Sequence, residues 1–151
     1  MKILLISYSD INGGAAIAAY RLHRSLVDSG VNSSMFVINR SSGDFTIDSY
    51  QNKYHKIISI VKPQIATLFL NYLLKTKNKT IHSLSYFSSK LVDKINSSDV
   101  DIVHLHWFQR EMLSISDIAK IKKQVVWTMH DMWAFCGAEH YTEDFRWRDG
   151  Y

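Results

Sequence analysis

A chain of 151 residues, 46% apolar and 21% charged, carries enough apolar side chain for one packed domain and excludes wholesale disorder. The single cysteine, Cys136, rules out an internal disulfide and fits a reducing compartment; no activating cation accompanies it, so it reads as inert. The net charge is +4, and the excess of base is local rather than general.

Lys2–Tyr8 is a continuous apolar run, the pattern of a strand covered on both faces of a parallel sheet. It is too short for the core of a signal peptide. The segment from Asp10 to Gly14 turns the chain. Ala15, Ala19, Leu22 and Leu26 then recur at helical spacing, and Gly30 caps the helix. Val31–Ile38 predicts a second strand, diluted by Asn32, Ser33 and Ser34, and Asn39–Asn52 a polar loop. Tyr54–Lys75 is strongly apolar with Pro63 in its middle, so two helical pieces are expected. Lys62, Gln64 and Asn71 interrupt it and argue against a membrane span. Ser89 opens a short helix with Leu91, Val92 and Ile95 inward. Asp101–Trp107 alternates as a strand, and Ser114 to Asp117 resembles a capping box for a helix through Lys123. Lys120, Lys122 and Lys123 would complement its dipole. Val125–Met129 is the last strand, expected to be buried. The alternation implies an α/β fold, a three-layer, mainly parallel sheet with helices on both faces.

Such sheets bind ligands at the carboxyl edges of their strands. His130 and Asp131 leave the last strand there, and Asp131 either fixes a histidine's tautomer or caps the following turn. Trp133, Phe135, His140 and Tyr141 follow as candidate walls for a sugar or a base, with core packing the competing role for Trp133 and Phe135. His104 and His106, two apart on a strand, point to one face near its carboxyl end, either toward a ligand or metal or satisfied by backbone. Trp107 reads as core. Gly13-Gly14 lies between strand and helix, where glycine permits close approach of a phosphate to backbone amides; a plain tight turn is the alternative.

The run from Thr128 to Tyr141, with Asp101–Trp107 and Asn12–Ala15 in the same order, resembles the amino-terminal domain of glycosyltransferase family 4, the two-domain GT-B type. It is similar to the bacterial enzymes of colanic-acid and O-antigen synthesis. The resemblance implies a Rossmann-like domain, residues 1–151, that holds the acceptor while an absent carboxyl-terminal domain grips the nucleotide. That second domain usually carries two glutamates separated by seven residues; Glu111, Glu139 and Glu143 have no such spacing, and the end at Tyr151 reads as a truncation. The implied activity is transfer of a sugar, with retained configuration, from a nucleotide sugar to a lipid-linked oligosaccharide in surface polysaccharide synthesis. His130 takes the catalytic role by resemblance, touching the transferred sugar. Gly13, Gly14, His104, His106, Asp131, Trp133, Glu139, His140 and Tyr141 are the candidate substrate contacts. No cofactor and no metal are expected, nor a nucleic-acid partner.

Two other classes remain open. A metal-dependent hydrolase would use His104, His106 and His130 with Asp131 and His140. A non-enzymatic domain would bind anionic lipid. From Ser49 to Val92 there is no Asp or Glu, yet Lys53, Lys56, Lys62, Lys75, Lys77, Lys79 and Lys90 all fall there. Contact of Tyr54–Lys79 with an anionic membrane is therefore expected to be peripheral, which puts the protein in the cytoplasm or on the inner face of the membrane.

Overall fold

The computed structural model describes residues 1–73, 79–142, 145 and 148. Lys75 and Lys77 of the basic stretch, Glu143 and the chain end at Tyr151 lie outside them.

Among the described residues, five parallel strands form one sheet in the order β3-β2-β1-β4-β5. They are β1 (Lys2–Ser9), β2 (Asn32–Asn39), β3 (Ile47–Asp48), β4 (Ile102–Leu105) and β5 (Gln124–Trp127). The helices are α1 (Gly14–Asp28), α2 (Lys53–Leu73), α3 (Leu91–Ser97) and α4 (Ile115–Ala119), with a 3-10 turn at Trp133–Phe135. This is the expected α/β, Rossmann-like architecture.

The pleat of β1 divides the core in two, because alternate residues face opposite sides. Ile3 and Leu5 pack with Met35, Val37, Ile47 and Ala19 of α1 on one face. Ile6 and Tyr8 pack with Phe36, Ile38, Val103 and Leu105, and with Leu91, Val92 and Ile95 of α3, on the other. Buried Ser33, which dilutes the apolar pattern of β2, has a polar partner: its Oγ lies 2.9 Å from Nδ1 of buried His23, whose Nε2 meets Thr46 Oγ1 at 2.7 Å. At the end of α1, Gly30 takes φ 79° and donates to Val27 O while Val31 donates to Leu26 O. These two bonds are the Schellman pattern, and the left-handed turn suits glycine.

Four expectations need correction. Tyr54–Lys75 was expected to split at Pro63, but α2 runs unbroken through it. Proline removes one backbone bond, and here Pro63 belongs to the buried stripe of Pro63, Ala66 and Leu70, whose contacts hold the turn together. The helix opened by Ser114 stops at Ala119 rather than Lys123, so Lys122 and Lys123 lie beyond its last turn. Asn96 stops it, accepting from Lys122 N at 2.8 Å and donating to Lys120 O at 2.9 Å. The strand expected at Val125–Met129 ends at Trp127 and lies at the sheet edge, leaving Val125 and Val126 exposed instead of buried. The loop Asn39–Asn52 contains β3, two residues long, paired with Met35 and Phe36. No helix of the described residues is long and apolar enough to cross a membrane.

Candidate functional site

Strand order reverses between β1 and β4, since the chain first builds outward to β3 and then returns to add β4 and β5 on the other side. A crevice opens at such a switch point, beyond the carboxyl ends of the strands. Pairing of β1 with the chain after β4 continues there, through His106 N to Ile6 O at 2.9 Å and Tyr8 N to Trp107 O at 2.7 Å. The two loops therefore leave the sheet at one level.

Between them lies a cavity of about 640 Å³ lined by Ser7 to Ser9 of β1, the α1 amino terminus, Trp107, Arg110, His130, Asp131, His140 and Tyr141. Gly13, at φ 98°, adopts a backbone conformation that L side chains rarely take. It is the N-cap of α1 and offers no side chain to cap it. The amides of Gly14, Ala15 and Ala16 follow as the first-turn donors without intrahelical acceptors, and all three residues line the cavity. A Cβ added at Gly13 or Gly14 would meet nothing within 4 Å. Ser7 lines the same cavity; its Oγ is buried with no hydrogen-bond partner. Asp10, fully buried, accepts the amides of Ile11, Ser41 and Ser42 at 2.7 to 3.0 Å and so fixes the loop that leads to the glycines.

His104, His106 and His130 stand in file. The first two ring centroids are 4.4 Å apart and the last two 5.2 Å. His104 Nε2 meets Thr128 Oγ1 at 2.8 Å, and His106 Nδ1 meets His130 Nε2 at 2.9 Å. Burial, reinforced by His104 and His130, pushes His106 down to about 3, so it is neutral at pH 7. Burial also lowers His104 and His130, the latter against the opposing pull of Asp131. His106 Nε2 is buried without a partner. A bare lone pair there costs less than an unbonded N–H, which assigns the proton of His106 to Nδ1, donating to His130. Neutral His130 then carries its own proton on Nδ1, a donor at the cavity wall.

Asp131 is held from three sides. Its carboxylate accepts from Trp107 Nε1 at 2.9 Å, Trp133 N at 3.1 Å and His140 Nδ1 at 2.6 Å. Burial opposes its charge, but these hydrogen bonds prevail and hold it below the usual carboxylate range. His140 Nε2 lies 2.9 Å from Ser83 Oγ. Serine, histidine and aspartate in this order have the connectivity of a nucleophile with its base and orienting acid. Ser83, however, is 4% exposed and its amide is bound to Ala138 O. The three side chains act as a clamp that ties the loop after β5 to the segment around Ser83.

The structure thus brings Gly13, Gly14, His130, Asp131, His140 and Tyr141 to one cavity. His104 and His106 stand behind His130 rather than on the wall. Trp133, 4% exposed, is core, its Nε1 bound to Ser83 O at 2.9 Å, and Glu139 is buried beside His82. Both leave the set of direct contacts. No group of three His, Cys, Asp or Glu among the described residues could hold a metal ion.

Two residues outside the candidate contacts join the site. Trp107, expected as core, lines this cavity and a second one of about 560 Å³ beneath α2, and packs edge-on to Tyr8 at 5.9 Å. Arg110 lines both cavities as well, its guanidinium 5.2 Å from the centre of the Tyr8 ring. Arg110 and Glu111 have φ of 60° and 62°, a conformation non-glycine residues adopt at a cost. Buried Glu111 holds that geometry by accepting the amides of Ser85, Tyr86 and Phe87 at 2.8 to 2.9 Å. Residue type alone carries no signal for such a pair. Comparison with protein-family models, curated proteins and solved structures found no match.

Proposed function

We propose that the crevice at the β1–β4 switch point is the acceptor-side half of the active site of a retaining glycosyltransferase. Such a protein would move a sugar from a nucleotide donor to a lipid-linked oligosaccharide in surface polysaccharide synthesis. One observation carries the proposal: the uncapped amino-terminal turn of α1 at Gly14, Ala15 and Ala16, Arg110 and His130 line a single cavity. Amides at a helix amino terminus and an arginine fork suit a phosphate. Imidazole, indole and phenol suit a sugar. A donor phosphate and a transferred sugar need both kinds of group side by side.

In that role His130 orients the sugar and stabilises charge as the phosphate departs, through the N–H on Nδ1. It is not a general base, since in front-face transfer with retention the departing phosphate takes the proton of the attacking acceptor hydroxyl as the sugar–phosphate bond breaks, and electrostatic stabilisation does most of the work. His106 positions His130, and Asp131 with His140 sets the wall beside it. Transfer also requires a domain that grips the nucleotide, and paired glutamates encoded after Tyr151 would support this. The test is to incubate the 151-residue chain with nucleotide sugars and a bacterial lipid-linked glycan extract. Binding of glycan, read as a change in tryptophan fluorescence that Trp107→Phe abolishes, is expected without turnover. Sustained turnover by the chain alone would contradict the division of labour, and absence of glycan binding would remove the acceptor role.

A further inference from the structure

Helix α2 presents an apolar face to solvent as well as one to the protein. At about 100° per residue, the buried Pro63, Ala66 and Leu70 lie on one side. On the opposite side Tyr54, Ile57, Val61, Ile65, Leu68 and Tyr72 recur at intervals of three and four, and all are exposed, Leu68 to 70% and Tyr72 to 84%. A surface helix of a soluble domain carries polar side chains in that place. The outward stripe is about 30 Å long, taking 21 residues at 1.5 Å each.

The charges carried by this helix and by the chain that follows it as far as Lys90 have one sign. Lys53 and Lys56 are exposed in its first turn, and Lys79 and Lys90 are exposed on the chain that follows. Lys62 sits below, its Nζ bound to Ser88 O at 2.5 Å with Asp117 and Glu111 nearby. Both of those carboxylates belong to buried residues committed to backbone amides, so neither faces outward. No acid occurs between Asp48 and Asp93.

From this juxtaposition we propose that α2 is an interfacial helix that lies flat on an anionic lipid surface. Its outward stripe enters the boundary of headgroup and acyl chain to about 5–10 Å, and the flanking lysines meet the headgroups. Charge decides the occupant. A second copy of the chain would bring the same lysines against each other, whereas an acidic bilayer pairs with them. The proposal is independent of the transferase reading, which concerns the crevice and not the outer face of α2.

The test is flotation of the 151-residue chain with vesicles of phosphatidylcholine alone and of phosphatidylcholine with phosphatidylglycerol. The chain should float with the acidic vesicles only, and raised salt should weaken it. The double variant Ile65→Ser, Leu68→Ser, at exposed positions, should lower partition more than about tenfold with unchanged circular dichroism. Lys53→Glu, Lys56→Glu should do the same. Equal flotation with neutral vesicles would overturn the anionic assignment. Absence of flotation would overturn the proposal, and self-association abolished by the serine variant would assign the face to a second copy instead.

Discussion

At the scale of single residues, the protonation of the histidine file decides what the site can do. His106 is neutral in the folded chain because burial holds it far below the 6.5 of a free histidine. Below pH 6.5 the unfolded chain therefore binds a proton that the folded chain refuses, and stability falls as pH falls. Its contribution is fully present above 6.5 and is lost toward about 3, with a slope of about 1.4 kcal/mol per pH unit from this residue. His104, His130 and His23, all lowered chiefly by burial, act in the same direction. Urea unfolding at pH 7 and pH 5 measures this, and His106→Gln should flatten the profile. The proposed transferase role adds a second expectation: His130→Ala in the complete enzyme should cut turnover by about 10²–10³ and leave acceptor binding nearly intact. Turnover close to that of the parent would take His130 out of the catalytic set. The histidines, the aspartate and the glycine pair were visible as residue types at strand ends, where ligands bind. Arg110 was not, since its place depends on a left-handed backbone that Glu111 enforces through three amides from a distant loop.

At the scale of elements, sequence periodicity located β1, α1, β2 and α3 because their apolar spacing reports burial directly. It misjudged α2, where the proline counted as a break, and α4, where the end is set by the side chain of Asn96 on another helix. Neither of these depends on local pattern. Pro63 still deprives α2 of a backbone bond, a deficit of up to about 3 kcal/mol in a helix interior. Pro63→Ala restores the donor and loses part of the buried ring, so a net gain of about 1–2 kcal/mol is expected. Chemical denaturation would show it, and a destabilised variant would mean that the ring contacts outweigh the missing bond.

At the scale of the whole molecule, topology does what no segment announces. Reversal of strand order between β1 and β4 gathers residues 7, 13, 110 and 130 around one opening, though they are spread over most of the chain. The same order leaves β5 at the edge with Val125 and Val126 uncovered, which alternation alone could not reveal, because an apolar run reads as buried. An uncovered edge with valines invites pairing with another chain. Light scattering of the parent chain shows whether it associates; where it does, Val126→Lys should reduce that association with thermal unfolding nearly unchanged, and unaltered association would locate the contact elsewhere.

The hydroxyl of Ser7 has a consequence of its own. It is withdrawn from water, and among the described residues nothing in the protein replaces the bonds it gave up. Folding therefore proceeds in spite of this group, and its removal in Ser7→Ala should leave the chain as stable as the parent or more so, by about 1 kcal/mol. Urea unfolding of the parent and the variant measures it, and a loss of stability on removing the oxygen would mean that the hydroxyl is satisfied after all.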